Sequence, residues 1–429
     1  MNHLLWFRND LRTIDNTSLT EAVKSGANVI AVYCFDPRHY KQTAFGFNKT
    51  GKFRAQFLLE TVENLQKNLE KLNITLLIYQ ETPETVIPKL LKEHKISRVF
   101  LQKEWTAEER LVSETLKKNT DASVKWQECY DQFLFHPTEI PFDDFSVIPK
   151  VFTDFRKKCE KQCQILQPLK APAPLRKSSL LTIQTKIPTF TDLGLQSFER
   201  DPRSAFPFKS GEHAGWERME NYIWKTQNLK EYKHTRNGLV GTEYSSKFSA
   251  WLANGSISAR SIYWEVKKFE QEVTKNQDTY WMIFELIWRD FFKYISLKHG
   301  DAIFKIGGIL EKEYQWKAEA DKKEDWIHGK TKYDFVNANM IEIALTGWMS
   351  NRGRQNVASF WAKEMEQDWR IGASYFESLL IDYDVHSNWG NWMYNAGVGN
   401  DPRDRKFNIE KQANDYDPNQ EFIGLWLKN

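Results

Sequence analysis

The feature that most constrains this chain is a short segment near its C-terminus, residues 382–394, which reads DYDVHSNWGNWMY. An ordinary amphipathic helix keeps its large apolar side chains on one stripe and its polar side chains on the other. Here large aromatic side chains alternate with groups that form hydrogen bonds. Such a mixture suits a pocket for a flat, polar ring system. The alternative interpretation is a tryptophan-rich core segment with helix caps, which composition alone does not exclude.

Length and charge set the limits of the fold. The chain has 429 residues, enough for two domains with large cores. A formal net charge of +3 excludes histone-like basicity, so any nucleic-acid site must be a local patch. Cys159 and Cys163 are one helical turn apart, and we expect reduced thiols there and no metal site. Without a signal sequence or a membrane-spanning apolar run, the expected compartment is the cytoplasm.

The first 130 residues alternate between strand and helix patterns. Strands are predicted at residues 3–7, 29–35, 75–79 and 98–101, and helices at residues 18–25, 52–71 and 83–94. In the second of these helices, apolar residues from Phe57 to Leu69 recur at helical spacing. The alternation predicts an α/β domain, residues 1–130, in which a parallel sheet has helices on both faces.

The first strand is followed by Arg8, Asp10 and Arg12 in place of a glycine-rich phosphate loop. A dinucleotide-binding fold of the dehydrogenase type is therefore not supported, and neither is a nicotinamide-dependent reductase. The favoured interpretation of these charged residues is a structural ion-pair cluster at the end of the strand.

Residues 131–210 form a proline-rich connector that lacks sustained periodicity, apart from a short helix predicted over residues 151–164. We expect this connector to wrap over the surface of both domains. Residues 211–429 are predicted to form an all-α domain. It begins with a helix over residues 212–226 that places Trp216 and Met219 on one face.

Two motifs in the helical domain can bind ligands. Residues 241–249, GTEYSSKFS, place hydroxyl groups just before a helix, where free N–H groups attract phosphate, although simple capping explains them as well. Residues 285–292, ELIWRDFF, bring Glu285 and Trp288 onto one helical face. A carboxyl beside an indole suits a nucleobase. The alternative is a pair of surface neighbours.

Two further segments, WMSNRGRQNVAS at residues 348–359 and AGVGNDPR at residues 396–403, join the first segment in resembling a known family. Together they closely resemble the flavin-binding core of the photolyase/cryptochrome family, in the form of the DASH branch. Tyr394 matches that branch, since photolyases acting on duplex DNA usually have tryptophan there. The resemblance runs from Leu4 to Leu427 and implies an all-α domain that binds FAD.

The resemblance also implies which residues hold the flavin. Arg354 would pair with Asp382, and Asn388 would face flavin N5, where an amide can both donate and accept a hydrogen bond. The implied FAD-binding residues are Tyr232, Ser245, Ser246, Lys247, Phe248, Ser249, Trp288, Arg289, Asn351, Arg354, Asp382, Asp384, Val385 and Asn388.

The same resemblance implies a DNA site and an electron relay. The implied DNA-binding residues are Arg236, Glu285, Trp288, Phe292, Asn351, Arg352 and Tyr394. Three tryptophans match a relay that leads outward from the flavin through Trp392, Trp369 and Trp316, although spacing alone would assign them to the core. The catalytic residues would be these three with Glu285 and Asn388. The sequence departs from the family pattern at Ala250, Lys332, Asp334 and Asn337, none of which is an implied site residue.

Family members can hold a second, light-harvesting chromophore in the first domain, often the folate 5,10-methenyltetrahydrofolate. Glu109 lies where a carboxylate contacts the pterin of that folate in relatives, and a carboxylate can accept two hydrogen bonds. The alternative, which the residues themselves favour, is that Glu108 and Glu109 are exposed acids in the first turn of a helix.

The function that the resemblance implies is blue-light-driven repair of cyclobutane pyrimidine dimers, with single-stranded or locally unpaired DNA as the partner. The alternative is a blue-light photoreceptor that acts through other proteins. Signalling cryptochromes generally carry an output tail, and only two residues follow Leu427 here, which makes repair the expected function.

Overall fold

A five-stranded parallel sheet forms the core of the N-terminal domain in the computed structural model, which describes residues 1–183 and 185–428. The strand order is β3-β2-β1-β4-β5. The strands are β1 Asn2–Trp6, β2 Asn28–Cys34, β3 Thr75–Tyr79, β4 Ile96–Gln102 and β5 Lys125–Cys129. The edge strand β5 was not predicted, because its half-buried sequence KWQEC lacks a clear apolar alternation.

Helices cover both faces of this sheet, as predicted. They are α1 Thr17–Lys24, α2 Lys52–Lys71, α3 Pro83–Glu93 and α4 Ala107–Asn119. Successive side chains of a strand point to opposite faces. Accordingly, Leu5 packs with Val62 of α2, whereas its neighbour Leu4 packs with Val86 of α3 and Leu116 of α4.

Helices are the regular secondary structure of the remaining residues that the structure describes, apart from a largely irregular stretch at residues 163–210. They are α5 Phe152–Gln162, α6 Gly211–Met219, α7 Tyr232–Thr235, α8 Ser249–Ala253, α9 Ala259–Glu272, α10 Gln277–His299, α11 Ala320–Ile327, α12 Asp334–Thr346, α13 Asn351–Ser359, α14 Trp369–Leu379, α15 Val385–Ala396, α16 Ile409–Tyr416 and α17 Glu421–Leu427. The predicted α/β domain followed by an all-α domain is confirmed. Within residues 1–183 and 185–428, we find no helix with the length and apolarity needed to cross a membrane.

The central helix of the second domain is α10, which begins at a capping box formed by Asn276 and Thr279. Its residues are mostly buried, and it packs against α5, α7, α9 and α15. The buried residues include Asp290 and Lys293, and charges inside a core need partners. Because α10 packs against these four helices, it fixes the positions of the side chains that they direct toward it.

The first part of the connector is buried, although we expected the connector to wrap over the surface of both domains. Phe133, Leu134 and Phe135 are buried in the same core as α10. The backbone N–H groups of Leu134 and Phe135 donate to the carboxylate of Asp290, at 2.9 Å and 2.7 Å to Oδ2. Burial raises the pKa of Asp290 to about 7, against the effect of these hydrogen bonds. The connector thus completes the helical domain before it crosses the surface.

The two domains are joined by a buried cluster of charges. Arg260 of α9 donates to Asp15 at 2.7 Å and to Asp131 at 3.2 Å. All three side chains are almost fully buried. Arg12 donates to the carbonyl of Gly255 across the same interface, at 2.9 Å. Arg12 therefore has a structural role, but the predicted ion pairs among Arg8, Asp10 and Arg12 are not found within the described residues, because Arg12 donates to backbone carbonyls and the ion pairs are formed by Asp15 and Asp131.

Candidate functional site

The start of α15 is fixed by a buried carboxylate. Asp384 caps the helix by accepting a hydrogen bond from the backbone N–H of Ser387, at 2.8 Å. Its other oxygen accepts one from Lys293 of α10, also at 2.8 Å. Burial alone would raise the pKa of Asp384, but the charges of Lys293, His386 and Arg289 and the hydrogen bond from Lys293 together outweigh burial and hold that pKa well below its ordinary value. Asp384 is therefore ionised and rigid.

A second ion pair stands beside the first. The guanidinium of Arg354 donates to both carboxylate oxygens of Asp382, at 2.9 Å and 3.0 Å. Its Nε donates to the carbonyl of Met349 at 2.9 Å, and the group lies 5.5 Å from the ring centroid of Trp348. The structure thus brings together the pair that the resemblance implied. The ion pair of Arg354 and Asp382 is thus held in a fixed position, with its guanidinium beside the indole of Trp348.

The loop before α8 holds a buried cation. Lys247 is 2% exposed and has a positive φ of 64°. Its Nζ has no hydrogen-bond partner within the described ranges and lies 3.0 Å from the ring centroid of Tyr244. Burial lowers the pKa of this lysine well below its ordinary value. Arg218 holds the loop in place through the carbonyls of Ser245 and Ser246, each at 3.1 Å.

A carboxylate that the sequence analysis missed faces this loop. Glu342 of α12 is 1% exposed, and its Oε2 is also without a partner in the part of the chain that the structure describes. Burial raises the pKa of Glu342 to about 8, although Lys247 and Arg354 act in the opposite direction. The only sequence signal was a glutamate inside an otherwise apolar helix, NANMIEIAL.

These groups fit a dinucleotide cofactor. An isolated buried ammonium is costly unless an anion pairs with it. The diphosphate of FAD would supply such an anion at the loop that contains Ser245, Ser246, Lys247, Phe248 and Ser249. Ser246, Lys247 and Phe248 are buried, whereas Ser249 begins α8 with its side chain accessible.

Replacing Lys247 with methionine is expected to weaken FAD binding at least about tenfold, because the diphosphate loses about 1.4 kcal/mol or more of charge pairing. Titration of the FAD-free protein with FAD measures the change in Kd. Lys247→Arg keeps the positive charge and serves as the matched control. An unchanged Kd for Lys247→Met would contradict the assignment of this loop.

Asn388 lies one turn beyond Asp384 on α15 and is buried. Its Nδ2 donates to the carbonyl of Ala373 in α14, at 3.0 Å, and this bond fixes the orientation of the amide. Val385 begins the same helix. Tyr232, at the start of α7, is also buried, and burial raises the pKa of its phenol. The role of these residues in holding a flavin stays a prediction of the resemblance.

The outer face of α10 carries the implied DNA residues. Glu285 forms an ion pair with Arg236 at 2.7 Å. Burial raises the pKa of Glu285, with Arg236 acting to lower it. The indole of Trp288 stacks on Phe152 of α5, with ring centroids 3.7 Å apart and an angle of 7° between the planes. Phe152 was not predicted as a site residue, because its position in the connector gave no signal.

Two further implied DNA residues, Tyr394 and Phe292, lie beside Trp288 on this face, whereas Arg289, an implied FAD-binding residue of the same helix, does not. Tyr394 meets Trp288 edge-on at 6.0 Å, and its hydroxyl is hydrogen-bonded to Arg405. Phe292 lies 5.7 Å from Trp288. Arg289 instead donates to the carbonyls of Gln132 and Leu252 and lines the space between the domains.

Arg352 and Asn351 begin α13. Arg352 donates to Asn237 at 3.3 Å, and its guanidinium lies 4.4 Å from the ring centroid of Tyr416. Asn351 is exposed. Arg352 therefore belongs to the same surface as Arg236, whose neighbour along the chain is Asn237.

The three implied relay tryptophans differ in their burial. Trp392 and Trp369 are buried, and Trp316 is only partly buried. Trp392 packs on Gly372, where a side chain would collide with the indole, three residues after Trp369 in α14. The backbone of Lys317 pairs with Glu366 and Asp368, which places Trp316 beside the start of α14. Trp392 also lies 6.2 Å from Trp326, which was not predicted to take part.

A cleft of about 630 Å³ lies between the two domains. Glu109 lines it and is half-buried in the first turn of α4, whereas Glu108 is exposed and bound to Lys49. Burial acts to raise the pKa of Glu109, but a hydrogen bond from Thr106 and the charge of Arg8 hold it below its ordinary value. The cleft also reaches Asp384 and Val385 at the start of α15.

Comparisons with known proteins agree with this arrangement. A family model described as DNA photolyase matches residues 3–174, and one described as the FAD binding domain of DNA photolyase matches residues 281–429. The second match covers Asp382 and Asn388, and its description makes FAD the cofactor of this chain.

Proteins of similar sequence cover nearly the whole chain. Cryptochrome DASH from Gloeobacter violaceus is 48% identical over 426 residues, 99% of this chain and 85% of that protein. Cryptochrome DASH from Danio rerio is 45% identical over 424 residues, 98% of this chain and 82% of that protein. The crystal structure of a Synechocystis cryptochrome superposes with a TM-score of 0.96 at 46% identity, covering 100% of this chain and 88% of that chain. The protein therefore belongs to the photolyase/cryptochrome family, within its cryptochrome DASH branch.

Proposed function

We propose that this protein repairs cyclobutane pyrimidine dimers under blue light, with a preference for single-stranded or locally unpaired DNA. The observation that carries the proposal is the pairing of Glu285 with Arg236 beside the indole of Trp288, on the helix that also holds Asp384 through Lys293. A nucleobase site needs a hydrogen-bonding edge and a stacking surface, and both are present on one face of α10.

The chain's own residues would bind and orient the damaged bases. Because its pKa is raised, the carboxyl of Glu285 holds a proton at higher pH than an ordinary glutamate does, and it can then donate to a pyrimidine carbonyl. Phe152 covers one face of Trp288, which keeps that indole fixed beside the lesion. Arg236 and Arg352 would contact the phosphates.

FAD, when bound, reduced and excited by light, supplies the electron that splits the dimer and receives it back. Lys247 would neutralise the diphosphate, and the pair formed by Arg354 and Asp382 would hold the polar edge of the cofactor. The indoles of Trp392, Trp369 and Trp316 would carry electrons inward from the surface when the cofactor needs reduction.

A folate antenna would occupy the cleft between the domains. The cleft volume of about 630 Å³ suits a drug-sized ring system. Glu109 offers an ionised carboxylate there, and 5,10-methenyltetrahydrofolate carries a pterin whose N–H groups can donate to it. The cleft also reaches the start of α15, so such a chromophore would lie close to the flavin.

Single-stranded DNA is the expected substrate because extruding a lesion from duplex costs a few kcal/mol that an open strand does not require. A thymine dimer in a single-stranded oligonucleotide should therefore be repaired at least about ten times faster than the same dimer in a duplex.

Glu285→Ala should lose repair and keep FAD. The control is Glu272→Ala, which replaces an exposed glutamate on α9. Equal repair by wild type and Glu285→Ala would rule out this lesion site, and no repair of either substrate would favour a photoreceptor.

A further inference from the structure

A tyrosine stands outside the last tryptophan of the relay. The ring of Tyr314 lies 5.3 Å from that of Trp316, centroid to centroid, at an angle of 75°. Tyr314 is 37% exposed. Its hydroxyl donates a hydrogen bond to Oδ2 of Asp404, at 2.9 Å. The phenol therefore touches an indole on one side and has a carboxylate at its proton.

The two outer indoles of the relay, Trp369 and Trp316, have no comparable base in the described part of the chain. Nε1 of Trp316 is buried and has no acceptor among residues 1–183 and 185–428. Nε1 of Trp369 donates to the carbonyl of Ile306 at 2.9 Å, and a peptide carbonyl is a very weak base. An oxidised indole loses its positive charge by releasing the Nε1 proton. Because neither indole has a good acceptor for that proton, a positive charge that arrives at Trp316 stays mobile.

Asp404 is unprotonated at neutral pH and can therefore accept a proton from Tyr314. Burial acts to raise its pKa, but hydrogen bonds from Lys363 and Tyr314 and the charges of Lys363 and Lys312 outweigh burial and hold the pKa below its ordinary value. The carboxylate is thus ionised at neutral pH. Its protonation is favourable only when the donor is very acidic, as an oxidised phenol is.

Two lysines beside Tyr314 favour concerted loss of its electron and its proton. Nζ of Lys363 lies 4.9 Å from the centroid of the phenol ring, and Nζ of Lys312 donates to the hydroxyl at 3.2 Å. These positive charges disfavour an oxidised ring that keeps its proton, since like charges repel at this range. Transfer of the proton to Asp404 removes that repulsion.

We infer that Tyr314 is the terminal electron donor of the relay and that Asp404 is its base. One electron passes from the phenol to oxidised Trp316 and restores the neutral indole. The phenolic proton passes to Oδ2 of Asp404 and leaves a neutral tyrosyl radical. The oxidant is Trp316 itself, after its electron has moved inward to the excited flavin, so the inference rests on the relay proposed above. The exposed tyrosyl radical can then take a hydrogen atom from a soluble thiol, which leaves a thiyl radical and restores the phenol, and Asp404 releases its proton to solvent.

The test uses the FAD-loaded protein with oxidised flavin, illuminated with blue light without reductant and frozen for electron paramagnetic resonance. Labelling the protein with ring-deuterated tyrosine should narrow the protein radical signal. Tyr314→Phe and Asp404→Asn should each lose the tyrosyl signal and leave a tryptophan radical. Tyr280→Phe is the matched control and should keep it, because Tyr280 also donates to a carboxylate, Glu160 at 2.6 Å, but belongs to α10.

The outcomes separate this inference from the relay. A tryptophan radical in the wild type that deuterated tyrosine does not alter would overturn the role of Tyr314 and leave the relay intact. A tyrosyl signal that persists in Tyr314→Phe would do the same. If Trp316→Phe left both photoreduction and the radical unchanged, the relay and this inference would fail together.

Discussion

Replacing Trp392 with phenylalanine is expected to slow light-driven reduction of the bound flavin by about a hundredfold or more. Trp392 lies on α15 one turn beyond Asn388, so the two side chains share a face. Phenylalanine keeps the packing on Gly372 but is much harder to oxidise than tryptophan. A barrier higher by about 3 kcal/mol accounts for a hundredfold effect. Loss of flavin absorbance under blue light with a soluble reductant measures the rate.

The buried tryptophans beside the relay provide the control for this experiment. Trp392 lies 6.2 Å from Trp326, which lies 4.7 Å from Trp361. Both neighbours are fully buried, so a charge that moves to them stays inside the protein. Trp361→Phe should therefore reduce its flavin at the wild-type rate. Bleaching of Trp392→Phe at the wild-type rate would dismiss the relay, and slow bleaching of Trp361→Phe would move it to the second set of indoles.

Replacing Arg260 with leucine is expected to lower the free energy of unfolding by about 3–5 kcal/mol, the cost of leaving a buried charge without its partner. The side chain is 4% exposed, and it bridges Asp15 of the first domain and Asp131 of the connector. Leucine leaves two buried carboxylates facing each other across the interface. Urea denaturation of the FAD-free protein, followed by circular dichroism, measures the loss.

The control for Arg260 is a surface pair of the same kind. Lys67 and Glu63 lie 2.6 Å apart on α2 with side chains 63% and 52% exposed. Lys67→Met should cost less than about 1 kcal/mol, because solvent screens exposed charges. Adding Asp15→Asn to Arg260→Leu should restore part of the lost stability, since one uncompensated carboxylate is removed. A loss below about 1 kcal/mol for Arg260→Leu would contradict the assigned role of this bridge.

Local motifs indicated a pocket for a flat, polar ring system around residues 382–394, whereas the roles of individual residues came from the family resemblance. Asp384 directly precedes a helix, and aspartate is a favoured N-cap residue because its carboxylate accepts from the backbone N–H groups of the first turn. Arg354 and Asp382 could be paired only through the family resemblance, since they are far apart along the chain. Their 2.9 Å contact follows from the packing of α13 near α15.

Other parts could not be predicted because their meaning depends on tertiary packing. Lys293 sits in the helix segment WRDFFKYIS, where a charge normally marks an exposed face, and only the burial of α10 turns it into the partner of Asp384. Glu342 was missed for the same reason. Phe152 belongs to a proline-rich region, and its stacking on Trp288 joins residues more than a hundred positions apart.

The burial of the early connector against α10 has a consequence for synthesis on the ribosome. Phe133, Leu134 and Phe152 emerge from the exit tunnel more than a hundred residues before α10 is translated. At ordinary elongation rates these apolar side chains stay uncovered for on the order of ten seconds. The nascent chain then consists of the completed sheet domain followed by an apolar segment whose packing partner, α10, has not yet been synthesised. Such a chain is a natural client for a chaperone that shields apolar segments until the remaining helices arrive.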